Sequence, residues 1–445
     1  MRTLILFRTT KLKVIDFLRF DSKIASVILL CSYLALYYYY RCTNNPHKAL
    51  LLAGKIFRHV NFEWTRNLSA TLLQTHIQLY GRNGVARGLQ SLLSISPDTV
   101  SRLRASILNL RRPFDRRLII LSPPNQNGKG VLLVKFTEYF KYLPCIFDLN
   151  SLSTDYVLTL EPSFSGYFDE DILCLLGYNI PIVIQAPEPP DYALLASLNA
   201  NIFPVDLGSN CWVDSRTFYP IHGLRKEYDI IMVSIWADFK RHYHLFESLS
   251  KARSRHKIRV ALVGTPWPKS LHEIRDLAKY YGVDHCIEFF ENISQQELNI
   301  LLNKSRAYLL LSRREGCNKS MIEAMFADVP VFLLSGFNYG YSYPYINSKT
   351  GAFIQPSKLT AFIESLHHIM ETTSFSPREW VSAHMSVTVS IEKLTDVLRR
   401  VERELNIKIN KELQLKINNP DCDYMDHTLW DRYAIYYRDL QRHFK

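Results

Sequence analysis

Residues 312–331 read SRREGCNKSMIEAMFADVPV, and this segment is the most informative about the fold. Apolar runs at 307–311 and 331–334 flank it and predict two buried parallel strands. A short helix is predicted between the strands, because Asn318 and Ser320 are both favourable N-caps and Ser320 begins a Ser-x-x-Glu capping box. The order strand, turn, helix and strand indicates an α/β domain.

The predicted helix begins directly after a glycine-containing turn at the carboxyl end of a strand. Its first N–H groups and the positive end of its dipole would face an anionic group such as a diphosphate. Two carboxylates flank this position, Glu315 in the turn and Glu323 in the first turn of the helix. The residues alone leave a structural alternative, in which Glu323 only caps its helix and Glu315 only neutralises Arg313 or Arg314.

The same stretch contains two glutamates separated by seven residues, a glycine directly after the first glutamate, and a proline before the next strand. This pattern resembles the E-x7-E motif of the retaining family-four glycosyltransferases. Those enzymes have the GT-B fold, so the resemblance implies an α/β chain with two Rossmann-like domains, here preceded by a helical, basic amino-terminal region. The resemblance covers residues 205–370 well and residues 118–204 loosely.

The resemblance implies catalytic roles for Glu315, which would contact the donor sugar, and for Lys240, which would hold the donor diphosphate. The arginine that usually accompanies this lysine is replaced by Ile235, so Arg241 is expected to supply the second cation. The alternative is that Lys240 and Arg241 only begin a solvated helix. The other donor-binding residues that the resemblance implies are Gly316, Cys317, Asn318, Lys319, Ser320 and Glu323.

The implied reaction moves a hexosyl or related group from a nucleotide-sugar donor to a sugar, lipid-linked or other acceptor, with retention at the anomeric carbon. The nucleotide sugar is a substrate, and no cofactor is expected. The D-x-D pairs Asp169 with Asp171 and Asp421 with Asp423 lie outside the donor half, so no metal is expected at the diphosphate. The resemblance also implies a front-face route, in which the leaving phosphate takes the acceptor proton.

Composition bounds the alternatives to this function. The chain has 445 residues, 47% of them hydrophobic, which is enough for the cores of two or three domains. Residues 1–117 hold 19 basic and 5 acidic residues, a balance of 19 − 5 = +14, whereas the remainder is at +12 − 14 = −2. The basic section predicts an anionic partner, lipid or nucleic acid. It carries no RRM, KH or zinc-finger signature, so a nucleic-acid partner is not expected. A non-catalytic GT-B-like sugar- or nucleotide-binding protein is the alternative that Ile235 favours.

Cysteines and glycosylation sequons predict the compartment. The eight cysteines show no CxxC pair and no metal-ligand spacing, which is typical of reduced, mostly buried thiols. Asn-x-Ser sequons occur at Asn67, Asn292, Asn303 and Asn318, and a glycan on Asn318 would block the predicted site. A reducing, non-glycosylating cytoplasm is therefore expected.

Residues 24–40 form a run of 17 residues without charge that closes on four tyrosines, at the short end of what spans a bilayer. A spanning helix would send the body outside by the positive-inside rule, which conflicts with the cysteines and with Asn318. We therefore expect an interfacial helix on an anionic, cytoplasmic membrane surface. A spanning helix and an ordinary buried helix remain alternatives.

Four segments are predicted along the chain. In the segment at 118–220, the apolar run 118–121 predicts a strand and residues 131–143 predict a helix. Together these two elements would form the first βα unit. The four segments are a basic, helical, membrane-associated region at 1–117, an acceptor-binding Rossmann-like domain at 118–220, a donor-binding Rossmann-like domain at 221–390, and carboxy-terminal helices at 391–445 that return to the first domain.

Overall fold

The computed structural model describes residues 2–109, 113–198, 201–253, 257–336, 345–419 and 421–445. Its strands are β1 (Leu118–Ser122), β2 (Gly130–Lys135), β3 (Tyr156–Glu161), β4 (Ile182–Gln185), β5 (Ile202–Val205), β6 (Tyr228–Val233), β7 (Val260–Gly264), β8 (Ile287–Glu291), β9 (Ser305–Leu310), β10 (Val331–Leu334), β11 (Gly351–Ile354), β12 (Lys416–Asn419) and β13 (Asp421–Tyr424).

The α-helices alternate with these strands and extend beyond them at both ends. They are α1 (Arg2–Asp16), α2 (Lys23–Cys42), α3 (Pro46–His59), α4 (Trp64–Gln90), α5 (Pro97–Ile107), α6 (Thr137–Phe140), α7 (Leu143–Ile146), α8 (Leu149–Asp155), α9 (Glu170–Leu173), α10 (Pro189–Ser197), α11 (His242–Lys251), α12 (Leu271–Tyr281), α13 (Gln295–Asn303), α14 (Lys319–Phe326), α15 (Leu359–Thr372), α16 (Pro377–Met385), α17 (Val387–Leu405), α18 (Leu429–Arg432) and α19 (Ala434–Asp439). A π-helical turn, Phe17–Asp21, continues α1.

The chain divides into two compact units. Unit A comprises Lys23–Trp212 and Val387–Lys445, and unit B comprises Val213–Ser386 together with the amino-terminal segment that ends at Ser22. The basic region predicted as one segment at residues 1–117 is thus shared between the units. Each unit is built around one sheet of buried strands, which is the predicted α/β class with two Rossmann-like domains.

Unit A contains the five-stranded sheet β1-β2-β3-β4-β5, in which β1 and β2 are antiparallel and the other neighbours are parallel. The prediction of a helix at residues 131–143 is wrong, because Gly130–Lys135 is strand β2 and only short helices follow it. A short apolar run fits a buried strand and a buried helix equally well, and the six consecutive buried positions of β2 favour the strand.

Particular residues mark the start of α5 and the bend in α4. Ser96 caps α5, with its hydroxyl accepting a hydrogen bond from the Thr99 N–H at 3.3 Å. Gly81 interrupts α4 with a φ of 68°, a conformation that glycine adopts readily. Helix α17 covers the start of the carboxy-terminal helices predicted at 391–445, whereas the hairpin of β12 and β13 has no counterpart among the predictions.

Helix α2 is apolar and lies largely at the surface of unit A. Leu30 packs with Ile56 and Val60 in a small core, while Ile24 is 75% exposed and Ile28 is 62% exposed. Among the described helices, α2 alone is long and apolar enough to cross a membrane by length and composition, and most of its apolar window is not buried.

Unit B contains the six-stranded sheet β11-β10-β9-β6-β7-β8, with every neighbouring pair parallel. The strands predicted at 307–311 and 331–334 correspond to β9 and β10, and the predicted short helix is α14. The loops after parallel strands leave the sheet at one edge. The loops after β6 and β9 are therefore neighbours, because these two strands are paired.

Candidate active site

Lys240 and Glu315 meet at the carboxyl edge of the unit B sheet. Lys240 ends the 3-10 turn that follows β6, and Glu315 lies in the loop between β9 and α14. The Lys240 Nζ is 2.5 Å from Oε1 of Glu315. The two side chains are only 9% and 10% exposed, so the pair is nearly removed from water. The structure thus brings together the two residues that were predicted to be catalytic.

Neighbouring side chains hold this ion pair in place. The Ser312 hydroxyl donates a hydrogen bond to Oε1 of Glu315, and the Lys240 ammonium lies 5.0 Å from the ring centroid of Phe239. A buried charge is tolerated only when it is paired. Each member of the pair therefore depends on the other while no anionic ligand is bound.

The start of α14 is fixed by Asn318. Its Oδ1 accepts a hydrogen bond from the Met321 N–H at 2.9 Å, so Asn318 is the N-cap. The predicted capping box of Ser320 with Glu323 is wrong, because Ser320 is already the second residue of the helix. The Ser320 hydroxyl instead shares a hydrogen bond of 2.8 Å with the hydroxyl of Tyr308.

The remaining predicted donor-binding residues lie in and after the same loop. Glu323 is buried in α14, and its Oε1 is 3.0 Å from the Lys319 Nζ. Gly316 and Cys317 precede the helix, and Cys317 is partly buried. The donor-binding roles of these residues and of Asn318 stay predictions.

Arg241 has an acidic partner that sequence reasoning missed. Its Nε and Nη2 donate to the two carboxylate oxygens of Asp16, each at 2.6 Å. Arg313 pairs with Asp21, because its Nη1 donates to Oδ2 at 2.6 Å and its Nη2 lies 2.6 Å from Oδ1. One signal was available, because Asp16 and Asp21 are the two acidic residues of the first 62 positions.

A buried histidine supports the loop that carries Lys240. The Nε2 of His242 is 3.0 Å from the Ser234 hydroxyl, and its ring lies against Trp236. Burial, with smaller contributions from Lys269 and Lys240, lowers the pKa of His242 to about 3. His242 is therefore neutral at physiological pH and adds no charge beside the ion pair.

The sheet of unit A also ends in buried acidic residues. Glu161 closes β3, and its carboxylate accepts hydrogen bonds from Lys416 Nζ at 2.6 Å and from Asn418 Nδ2 at 2.7 Å. These partners belong to the carboxy-terminal hairpin. Glu161 is completely buried, so it anchors the hairpin and is not open to a ligand.

Glu188, in the proline-rich loop after β4, is less well satisfied. It is 2% exposed, and among the described residues its Oε1 has no hydrogen-bond partner. Burial, followed by the charge of Asp191, raises the pKa of Glu188 to about 8. A carboxyl group of this kind is largely protonated at neutral pH.

The two sheets, and the paired lysine and glutamate at the edge of one of them, define a chain of the Rossmann-like α/β class with a site suited to an anionic ligand. The family of glycosyl transferases group 1 matches residues 215–382. This part of the chain is therefore a glycosyltransferase group 1 domain, and the resemblance to that class of enzyme is confirmed. It contains all nine residues that were predicted to form the site.

The solved structures that are similar to this chain are glycosyltransferases that share little sequence identity with it. The sucrose-phosphate synthase of Thermosynechococcus elongatus shares 13% identity over 70% of this chain and 82% of that chain, with a TM-score of 0.49. The pneumococcal O-GlcNAc transferase GtfA, in complex with UDP and GlcNAc, shares 14% identity over 58% of this chain, with a TM-score of 0.44. The chain spans about half, 54%, of that transferase. No curated protein matches the sequence.

Proposed function

We propose that the protein transfers a sugar from a nucleotide-sugar donor to an acceptor, with retention of the anomeric configuration. The observation that carries this proposal is the buried pair of Lys240 and Glu315, 2.5 Å apart at the carboxyl edge of the glycosyltransferase group 1 domain. A cation held there answers the charge that grows on the diphosphate as the bond to the sugar breaks.

The donor would enter by exchanging partners with the ion pair. Its diphosphate would take the Lys240 ammonium in a charge-assisted contact, and Glu315 would be released to contact the sugar. Glu323 would bind the ribose, and the backbone of residues 316–320 would contact the donor at the start of α14. The acceptor proton would pass to the leaving phosphate, without a protein base or a metal ion.

Binding of nucleotides tests the role of Lys240. Lys240→Ala should weaken binding of a nucleoside diphosphate much more than binding of the corresponding nucleoside, because only the diphosphate carries the charge that the ammonium answers. Calorimetry with UDP, GDP and ADP and their nucleosides measures both. Equal losses, or none, would contradict the assignment.

The second candidate is a non-catalytic binding protein, which the isoleucine at position 235 favours. Such a protein would bind a nucleotide sugar and release no product. Incubation with a panel of UDP-, GDP- and ADP-sugars separates the two candidates, since the enzyme is expected to release nucleoside diphosphate by slow hydrolysis even without its acceptor.

We further propose that the enzyme lies on an anionic membrane surface on the cytoplasmic side. Helix α2 exposes apolar side chains, and so does the segment before it, where Phe7 is 69% exposed and Phe17 is 57% exposed. Burying such side chains is favourable by about 1.5–3 kcal/mol each, and each nearby cation adds about 1 kcal/mol at an anionic leaflet. The balance of +14 in residues 1–117 supplies the cations.

Point substitutions test the membrane proposal better than truncation, because residues up to Ser22 belong to unit B. The double variant Ile24→Gln with Ile28→Gln should lose flotation with phosphatidylserine vesicles. The control is Ile435→Gln, at a residue of unit A that is 60% exposed, and it should float like the wild type. A wild-type protein that ignores anionic vesicles would contradict the proposal. Resistance to alkaline carbonate would favour a spanning helix.

A further inference from the structure

The amino-terminal segment of unit B reaches the loop that carries Lys240. Asp16 ends α1, and its carboxylate accepts two hydrogen bonds of 2.6 Å from Arg241 and one of 2.5 Å from the hydroxyl of Tyr243. The Arg241 side chain is only 4% exposed. Paired N–H groups on a carboxylate fix both the distance and the orientation of the guanidinium.

The same segment reaches the loop that carries Glu315. Asp21 accepts a hydrogen bond of 2.6 Å from Nη1 of Arg313, and its other carboxylate oxygen lies 2.6 Å from Nη2, which donates to the Gly336 carbonyl at 3.1 Å. Arg313 lies two residues before Glu315, as Arg241 lies directly after Lys240. Both loops of the candidate active site are therefore bound to one short segment.

Phe20 fills the space between the two contacts. Its ring centroid is 5.1 Å from the Cζ of Arg241 and 5.1 Å from the Cζ of Arg313, and the residue is 9% exposed. Cations near an aromatic ring in a buried site gain attraction from the ring electrons. The two arginines thus share one aromatic partner as well as having one carboxylate each.

The backbone geometry explains how both carboxylates face the same way. Two residues that are five positions apart in an α-helix point about 140° apart around the helix axis. Residues 17–21 instead form a π-helical turn, with the Ser22 N–H donating to the Phe17 carbonyl at 2.8 Å. In a π turn the fifth residue returns to roughly the same face. Asp16 and Asp21 can therefore bind both loops at once.

Arg241 itself adopts an unusual conformation for this contact. Its φ is 58°, in the left-handed region that a long side chain seldom occupies, and it is the N-cap residue directly before α11. Strained positions of this kind persist where the surrounding contacts determine them. The double hydrogen bond to Asp16 is such a contact.

We propose that residues 16–21, here called the brace, are positioning residues that hold the two loops in the register in which Lys240 meets Glu315. The brace bonds to the arginines, while the Lys240 ammonium is left to Glu315 and, on the proposed function, to the donor. On this proposal Arg241 binds the brace and does not supply the second cation for the donor diphosphate. Asp16, Phe20 and Asp21 act through the loops and do not touch the donor.

Hydrogen–deuterium exchange of the full-length protein tests the brace without any donor. The double variant Asp16→Asn with Asp21→Asn should raise amide exchange in residues 235–241 and 312–318 by tenfold or more. The matched control is Lys13→Gln, which removes a different ion pair of α1, that with Glu247 at 2.8 Å, and should leave both loops unchanged. Unchanged exchange in the double variant, with the fold intact, would overturn the proposal.

A charge swap distinguishes positioning from donor binding by Arg241. Asp16→Arg combined with Arg241→Asp restores the pair in reverse, and aspartate tolerates the left-handed φ at position 241. The swap should return exchange in both loops to within about threefold of the wild-type rate. Exchange that stays as fast as in Asp16→Asn would mean that the pair does not position the loops.

Pyrophosphate binding separates a brace from an inhibitory contact. If the brace holds the loops in the productive register, the double asparagine variant should bind pyrophosphate about tenfold more weakly than the wild type. Tighter binding would mean that the carboxylates block the arginines, and it would overturn the proposal. Neither readout needs sugar transfer, so failure of the proposed function would not be mistaken for failure of the brace.

Discussion

The ion pair between Lys240 and Glu315 can be tested by replacing each charge with a neutral side chain of similar size. Lys240→Met removes the counter-charge of the buried Glu315 carboxylate, which still accepts a hydrogen bond from the Ser312 hydroxyl. Glu315→Gln leaves the ammonium without a counter-charge. Both side chains are about nine-tenths buried, so solvent screens little of the loss.

The expected magnitude follows from that burial. Removing one partner of a buried pair destabilises a protein by about 3–5 kcal/mol. For a unit the size of unit B, each kcal/mol shifts the melting temperature by about 2–4 °C, so either single variant should lower it by about 6 °C or more. The double variant should cost less than the sum of the singles by about 2 kcal/mol, because it leaves no unpaired charge.

Scanning calorimetry of the full chain is the suitable assay, since a chain with two units need not unfold in one transition. The matched control is the exposed pair of Lys349 and Glu379, 3.0 Å apart with side chains 54% and 68% exposed. Its double-mutant cycle should give a coupling below about 1 kcal/mol. If the stability losses of Lys240→Met and Glu315→Gln were strictly additive in the double variant, the two charges would not stabilise each other, and the predicted coupling would be wrong.

Two further predictions concern the cap of α14 and the buried acid of unit A. Asn318→Ala should destabilise unit B by about 1–2 kcal/mol, since it removes the N-cap that bonds to Met321. Thermal unfolding measures this loss, and an unchanged transition would contradict the cap. Glu188 has a folded-state pKa raised from 4.5 to about 8, so the folded state binds more protons between these pH values and wild-type stability should fall as pH rises through that window. Relative to Glu188→Gln, the fall should approach 1.4 kcal/mol per pH unit near the middle of the window. Parallel pH profiles would show that Glu188 is not held protonated.

The alternation of strands and helices could be predicted because buried parallel strands leave a strong signal in the sequence. The continuous apolar runs 182–184 and 331–334 lie in strands β4 and β10. The same signal failed at 131–143, where a short apolar run fits a strand and a helix equally well. The capping pattern also failed to locate the start of α14, because Asn318 and Ser320 are both favourable N-caps. Only the folded structure shows that Asn318 is the cap.

The contacts of the candidate site were predictable only in part. Lys240 and Glu315 could be chosen from the family resemblance, and the pairing of β6 with β9 brings their loops together. The contacts of Asp16 and Asp21 join residues 225 and 292 positions apart in the chain, and no local pattern records them. The two acids were conspicuous in a basic segment, but their partners were visible only in the folded structure.

Sugar release from nucleotide sugars tests the central claim most directly. The purified protein is incubated with UDP-, GDP- and ADP-sugars, and nucleoside diphosphate and sugar anomer are followed for the wild type and for Glu315→Gln. We predict turnover of at least one donor with retained configuration, and a loss on the order of a hundredfold in Glu315→Gln with donor affinity little changed. Either of two results would contradict the proposed function: a Glu315→Gln variant that turns over the donor at the wild-type rate, or a wild-type protein that binds a donor without turning it over.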